Sequence, residues 1–212
     1  MAVEQTRNVK KDTVSTEEYL SWGFTYLENR DYNEALKCFQ YLTELEPGNS
    51  KFYINLGHVY EKMDMLDSAK KCYERALSVK PDNIEAIMNI AHILEIQGDY
   101  HNAVDEYTKA IEINSLAIEP RFSLAALYDR HDMYDEAAEE YEKIIEINPK
   151  HTKSLHKLGR INFQDGNYAA ALRNFQDVLK WEPENTDAWN DLGSVYEITK
   201  NHLQAIFTYR KA

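Results

Sequence analysis

The chain has 212 residues, 43% of them hydrophobic, and 36 Asp and Glu against 24 Lys and Arg leave a net charge of −12. That acidity argues against a nucleic-acid partner, because affinity for phosphate backbones comes from clustered Lys and Arg, and against anionic membrane surfaces for the same reason. No apolar run approaches the ~18 residues of a membrane-crossing helix, and the opening MAVEQTRNVKKDTV lacks the apolar core of a secretory signal, so no membrane insertion and a cytoplasmic location are expected, with the nucleus and the cilium also compatible.

Residues 1–15 are polar and aperiodic and are predicted to be a flexible tail. Ser15-Thr16-Glu17-Glu18 then reads as a capping box that opens the first helix. From Thr16 onward the chain repeats every 34 residues without insertion or deletion, most plainly at residues 53–81, YINLGHVYEKMDMLDSAKKCYERALSVKP. The repeats are 16–49, 50–83, 84–117, 118–151, 152–185 and 186–212, the last one truncated. Position 8 of successive repeats holds Gly23, Gly57, Ala91, Ala125, Gly159 and Gly193. Position 20 holds Ala35, Ala69, Ala103, Ala137, Ala171 and Ala205, and position 24 holds Phe39, Tyr73, Tyr107, Tyr141, Phe175 and Tyr209. Small residues at 8 and 20 let two helices approach, and bulky residues at 4, 7, 11 and 24 fill the space around that contact.

Each repeat is predicted to form helix A over positions 1–14 and helix B over positions 15–28, with Pro near position 32 stopping helix B. Local departures are Leu42, Ile144 and Val178 where position 27 prefers Ala, and Ser115 in place of Pro, with Pro120 in the next first turn. Asn162 takes the place of Tyr at position 11, at a cost in packing or as the mark of a polar pocket. The last repeat stops at its position 27, Ala212, with no polar capping unit. An uncovered end of that kind is expected either to continue in a longer array or to be covered by another chain, including a second copy stacked end to end.

This pattern resembles the tetratricopeptide repeat (TPR) family, whose units are pairs of antiparallel helices. The resemblance runs from Thr16 to Ala212. It implies an all-α fold, an α-solenoid (right-handed superhelix) of six helix-turn-helix units, and the binding of a protein or peptide segment on the concave surface lined by helix A, mainly at positions 2, 5, 6, 9, 12 and 13.

Those columns supply the candidate site. Positions 6 and 9 of the second and third repeats give two Asn-x-x-His pairs, Asn55/His58 and Asn89/His92. Asn donates and accepts at once, which suits an extended peptide backbone, and the pair is similar to the asparagine ladder of TPR arrays. In the fifth repeat Lys153, His156, Lys157 and Arg160 fall on the same predicted face, with His151 just before, and are expected to select acidic side chains or a terminal carboxylate. Most Asp and Glu elsewhere are expected on outer helix faces, and the periodic tyrosines in the core. The carboxylate clamp of chaperone-binding TPR proteins is not matched: Asn89 fits one slot, but Ile54 and His58 precede it and Glu119 and Ser123 follow.

No P-loop, nucleophile elbow, G-x-G-x-x-G or H-E-x-x-H motif occurs. His58 and His92 alone make a poor zinc site, so no cofactor or metal is expected. Cys38 and Cys72, one repeat apart, lie farther from each other than a disulfide spans and are predicted to be free thiols in a reducing compartment. The sequence therefore points to a non-catalytic scaffold. The alternatives are the substrate-recognition arm of a longer enzyme, such as a glycosyltransferase, and a self-stacking oligomer.

Overall fold

The computed structural model describes residues 14–212, so that all but the last two residues of the predicted tail lie outside it. The described residues form twelve helices and no strand: α1 (Thr16–Glu28), α2 (Tyr32–Leu45), α3 (Ser50–Lys62), α4 (Leu66–Val79), α5 (Ile84–Ile96), α6 (Tyr100–Ile113), α7 (Ile118–Arg130), α8 (Tyr134–Ile147), α9 (Thr152–Gln164), α10 (Tyr168–Trp181), α11 (Thr186–Ile198) and α12 (His202–Tyr209). They make an all-α array of helix-turn-helix pairs. Two compact units divide the chain, one ending at Ile113 and one beginning at Asn114. Within each, a helix pairs with its partner in the same repeat and with the next helix along.

Helix B starts and ends two residues later than the pattern predicts, at positions 17 to 30, and α12 closes at Tyr209. The displacement comes from the turn. Position 15 is left-handed in every repeat: Arg30 (φ 63), Asp64 (φ 60), Gly98 (φ 75), Asp132 (φ 58), Gly166 (φ 75) and Lys200 (φ 61). Its N–H returns to the carbonyl of position 12 and the next N–H to that of position 11, as in Arg30 to Leu27 (3.1 Å) and Asp31 to Tyr26 (2.8 Å). This Schellman closure satisfies the last carbonyls of helix A and turns the chain for helix B.

Helix starts are capped by the residue before each first helix. The predicted capping box is present: the Glu18 N–H donates to Ser15 Oγ (3.2 Å) and the Ser15 N–H to Glu18 Oε2 (2.8 Å). Asn49, Asn83, His151 and Asn185 also accept a first-turn N–H. The fourth repeat has Ala117 here and makes no such bond. Pro120 stands where the capped N–H of four of the other repeats lies, so the missing acceptor and the missing donor cancel.

The core follows the small-residue columns. A Cβ placed on Gly23, Gly159 or Gly193 would come within 2.7, 2.6 and 2.5 Å of the rings of Phe39, Phe175 and Tyr209, and one on Gly57 would overlap Tyr73. In the first unit Phe39 and Leu42 pack on Phe52, Leu56 and Val59. In the second, Tyr141 and Ile144 pack with Leu158 and Ile161, and Phe175 and Val178 with Leu192 and Val195. Leu42, Ile144 and Val178 are completely buried, so the larger residues at position 27 add apolar burial.

Two polar residues sit inside this pattern. Asn162 donates to the Leu158 carbonyl and to Asn174 Oδ1, both at 3.1 Å, so its amide is satisfied within the helix pair and opens no pocket of its own. Arg121 occupies position 4, where the other repeats carry aromatic or aliphatic residues. It is buried, pairs with Glu140 at 2.6 Å and donates to the Ser115 carbonyl at 3.1 Å. Where Ser115 replaces Pro, α6 still ends at Ile113, and Asn114 accepts the Leu116 N–H in a side-chain turn.

Candidate functional site

In the first unit, α3 and α5 bring three of the four residues of the Asn/His set into contacts within the set or with a neighbouring acid. Asn89 Nδ2 donates to His58 Nε2 at 3.0 Å, joining successive repeats. An amide nitrogen only donates, so that imidazole nitrogen is the acceptor and Asn89 keeps its oxygen for a further partner. His92 is exposed, with Nδ1 3.9 Å from Glu61 Oε1. Asn55 is half-buried and makes no hydrogen bond among the described residues. It lines an open pocket of about 310 Å³ whose apolar walls are Leu20 and Phe24 from α1 and Phe52 and Ile54 from α3, with Lys51 and Glu85 as its charged members. Phe24 is 44% exposed there, and this aromatic on the helix A face was not singled out by sequence.

In the second unit the basic cluster is divided by its neighbours. Lys157 Nζ donates to Asp129 Oδ2 and His156 Nε2 to Asp191 Oδ2, each at 2.8 Å. Lys153 and Arg160 are exposed and make no ion pair among the described residues. The charge open to a ligand is therefore two residues rather than four. His151 caps α9 instead of facing a ligand: Nδ1 accepts the Ser154 N–H at 3.2 Å and lies 2.8 Å from Ser154 Oγ. Burial, assisted by the nearby charge of Lys153, holds this imidazole below the ordinary histidine pKa.

Three acids on helix A are exceptions to the outer faces expected for most carboxylates. Glu61 accepts the Tyr73 hydroxyl at 2.6 Å, Glu95 that of Tyr107 at 2.5 Å and Glu197 that of Tyr209 at 2.9 Å. Each bond links position 24 of helix B to position 12 of helix A. Burial and the bond to Glu61 push the Tyr73 hydroxyl well above the ordinary range, so it stays a donor. The pairing has a signal in the sequence: position 12 is acidic where position 24 is Tyr, and is Leu27 or Phe163 where position 24 is Phe39 or Phe175. In the fourth repeat the shorter Asp129 is taken by Lys157, and the buried Tyr141 hydroxyl has no partner.

Cys38 and Cys72 are unbridged, and burial pushes the Cys72 thiol up to about 11, which leaves it protonated and unreactive at neutral pH. Among the described residues no group of three or more His, Cys, Asp and Glu is placed to hold a metal, and no helix is long and apolar enough to cross a membrane.

Comparison with known proteins bears on the same residues. Sequence profiles of the tetratricopeptide repeat match residues 50–83, 84–115, 118–151 and 156–212. No curated protein matches the chain in sequence. Among solved structures, PilF of Pseudomonas aeruginosa aligns over 91% of this chain and 88% of its own, at 16% identity and a TM-score of 0.73. A tetratricopeptide repeat protein from Parabacteroides merdae aligns over 92% and 78%, at 22% identity and a TM-score of 0.71. YrrB, described as a TPR protein with an unusual peptide-binding site, aligns over 82% and 89%, at 20% identity and a TM-score of 0.65. At these identities the likeness is one of fold.

Proposed function

The chain belongs to the tetratricopeptide repeat family, and from that premise we propose that it is a non-catalytic scaffold that holds an extended or helical segment of a partner protein on its helix A faces. One observation carries this reading: the unbonded amide of Asn55 stands on an open pocket walled by Leu20, Phe24, Phe52 and Ile54. An amide that both donates and accepts is suited to a peptide main chain, and an apolar pocket beside it is suited to a side chain of the same peptide. At about 310 Å³ the pocket is larger than the ~150 Å³ cavity known to hold benzene in an engineered protein, so a Leu, Met or Phe side chain fits. Asn89 extends the row by its free oxygen, while His58 orients that amide. Lys153 and Arg160, with Lys157 and His156 held in pairs, favour a partner bearing negative charge at the fifth repeat. Most of the ordering cost of binding falls on the partner, because the helix faces are preformed.

The test is selection from a random peptide library, followed by titration of the selected peptide. Phe24→Asp and Asn55→Ala are each expected to weaken it by on the order of tenfold or more at unchanged helicity. Selection of no peptide, or equal binding by both variants, would overturn the reading.

A further inference from the structure

Two residues of α12 break the pattern of its outer side. Position 18 holds Asn33, Asp67, Asp135 and Ala169 in the first, second, fourth and fifth repeats, and position 22 holds Lys37, Lys71, Glu139 and Arg173. All of these are exposed, although another repeat follows each of them in the same unit. In the sixth repeat the two positions are Leu203 and Phe207, 83% and 52% exposed. Their exposure therefore owes nothing to where the array stops. One turn apart on the helix, they share a face.

Phe207 also walls a groove of about 350 Å³ between α10 and α12, with α11 as its floor. Leu179, Trp189, Leu192 and Phe207 supply its apolar surface, and no carboxylate lines it. The rings of Trp189 and Phe207 meet edge to face, 6.3 Å between centroids. The corresponding groove of the first unit, between α4 and α6, is rimmed instead by Lys70, Glu74, Glu106 and Lys109, charges of both signs.

Around the sixth-repeat groove the charge has one sign. α10, α12 and the residues bounding α12 carry Arg173, Lys180, Lys200, Arg210 and Lys211 against Asp177, in a chain of net charge −12. Of the nearby acids, Asp191 and Glu197 of α11 are bonded to His156 and Tyr209, and Glu184 lies in the turn before α11. The Lys211 ammonium is 6.0 Å from the centre of the Phe207 ring, so cation and apolar stripe share one surface. The groove offers little to an extended backbone: the Gln176 amide donates to the Tyr196 hydroxyl at 3.5 Å, and the Thr208 hydroxyl to carbonyls of its own helix. A helix satisfies its own main chain and needs only an apolar stripe to dock. Two copies meeting through this face would set the same cations against each other.

We propose that the helix B side of the fifth and sixth repeats is a second docking surface, one that takes an acidic amphipathic helix of a partner protein. The apolar stripe of that helix lies on Leu203, Phe207 and Trp189, and its carboxylates reach Lys180, Arg210 and Lys211. The surface does not depend on the Asn55 pocket, and either can fail without the other.

The probes are two displayed libraries of helices about 14 residues long, with the same varied apolar stripe and a polar face of Glu in one and Lys in the other. The Glu library is expected to yield binders of the full chain with dissociation constants on the order of 10–100 μM, and titration of one is expected to shift the indole NMR signal of Trp189. Phe207→Lys and Leu203→Asn install residues that the first repeat carries at the same positions, Lys37 and Asn33. Each is expected to weaken the selected helix by about tenfold or more, although Phe207→Lys adds charge of the attracting sign. Phe24→Asp is expected to leave it unchanged, whereas a peptide held at the Asn55 pocket responds in the opposite way. No binder from the Glu library, stronger selection from the Lys library, equal binding by both α12 variants, or shifts confined to residues outside α10–α12 would each refute the proposal. So would a wild-type dimer in light scattering, or sedimentation with phosphatidylserine vesicles, that Phe207→Lys abolishes, because the face then belongs to a second copy or to a lipid surface.

Discussion

Tyr73 and Tyr141 occupy the same position in two repeats, and both are completely buried. Their hydroxyls differ in one respect: that of Tyr73 donates to Glu61, and that of Tyr141 has no partner. A buried hydroxyl that loses its water and gains no acceptor costs about 1–3 kcal/mol, whereas a hydrogen bond to a charged group contributes about 1.5–3 kcal/mol. Removing the same atom is therefore expected to have opposite signs. Tyr141→Phe raises stability by about 1 kcal/mol, and Tyr73→Phe lowers it by about 1–2 kcal/mol because Glu61 loses its donor. Urea unfolding of the two variants checks this, and destabilisation by both would refute the assignment of the Tyr141 hydroxyl as unpaired.

The Schellman turns and the caps set the stability of single helices. Four of the six left-handed turn residues carry a side chain, and Arg30 is exposed there with φ 63. Left-handed backbone is strained for any residue with a Cβ, so Arg30→Gly is expected to stabilise by about 1 kcal/mol, seen as a higher urea midpoint at unchanged slope. His151 gives α9 a cap that depends on pH. Its folded-state pKa is depressed by burial and by Lys153. Above about pH 6.5, the ordinary histidine value, both folded and unfolded chains hold it neutral and it contributes no pH dependence. Below that, the unfolded chain takes up a proton that the folded Nδ1, engaged as an acceptor, resists, and stability falls. His151→Asn keeps the acceptor that other repeats use and cannot titrate. The variant is expected to gain on the wild type as the pH drops through this window. A stability difference constant from pH 7 to pH 5 would contradict this role.

At the scale of the whole molecule, the fold was legible because it is written six times. The Gly/Ala, Ala and aromatic columns specify close contacts, and those contacts are what the core contains. The left-handed turn was less legible, since only Gly98 and Gly166 advertise it while Arg30, Asp64, Asp132 and Lys200 do not. The candidate site was legible as a set of positions but not as a set of free groups. Whether Asn89, His156 or Lys157 faces a ligand depends on bonds to residues about one repeat away, namely His58, Asp191 and Asp129. Phe24 escaped notice because it is a departure from the column around it, and a departure acquires meaning only beside the residues that it lies against.

The turn that closes each helix pair has a consequence during synthesis. Its hydrogen bonds span three to five residues, so the turn itself needs nothing from chain not yet made. At about 5–20 residues per second a repeat takes seconds to leave the ribosome, while chains dominated by local helical contacts fold in microseconds to milliseconds. Each turn thus has time to close while the next repeat is still being translated. The nascent chain shows its apolar surface to the cell in portions of a single repeat.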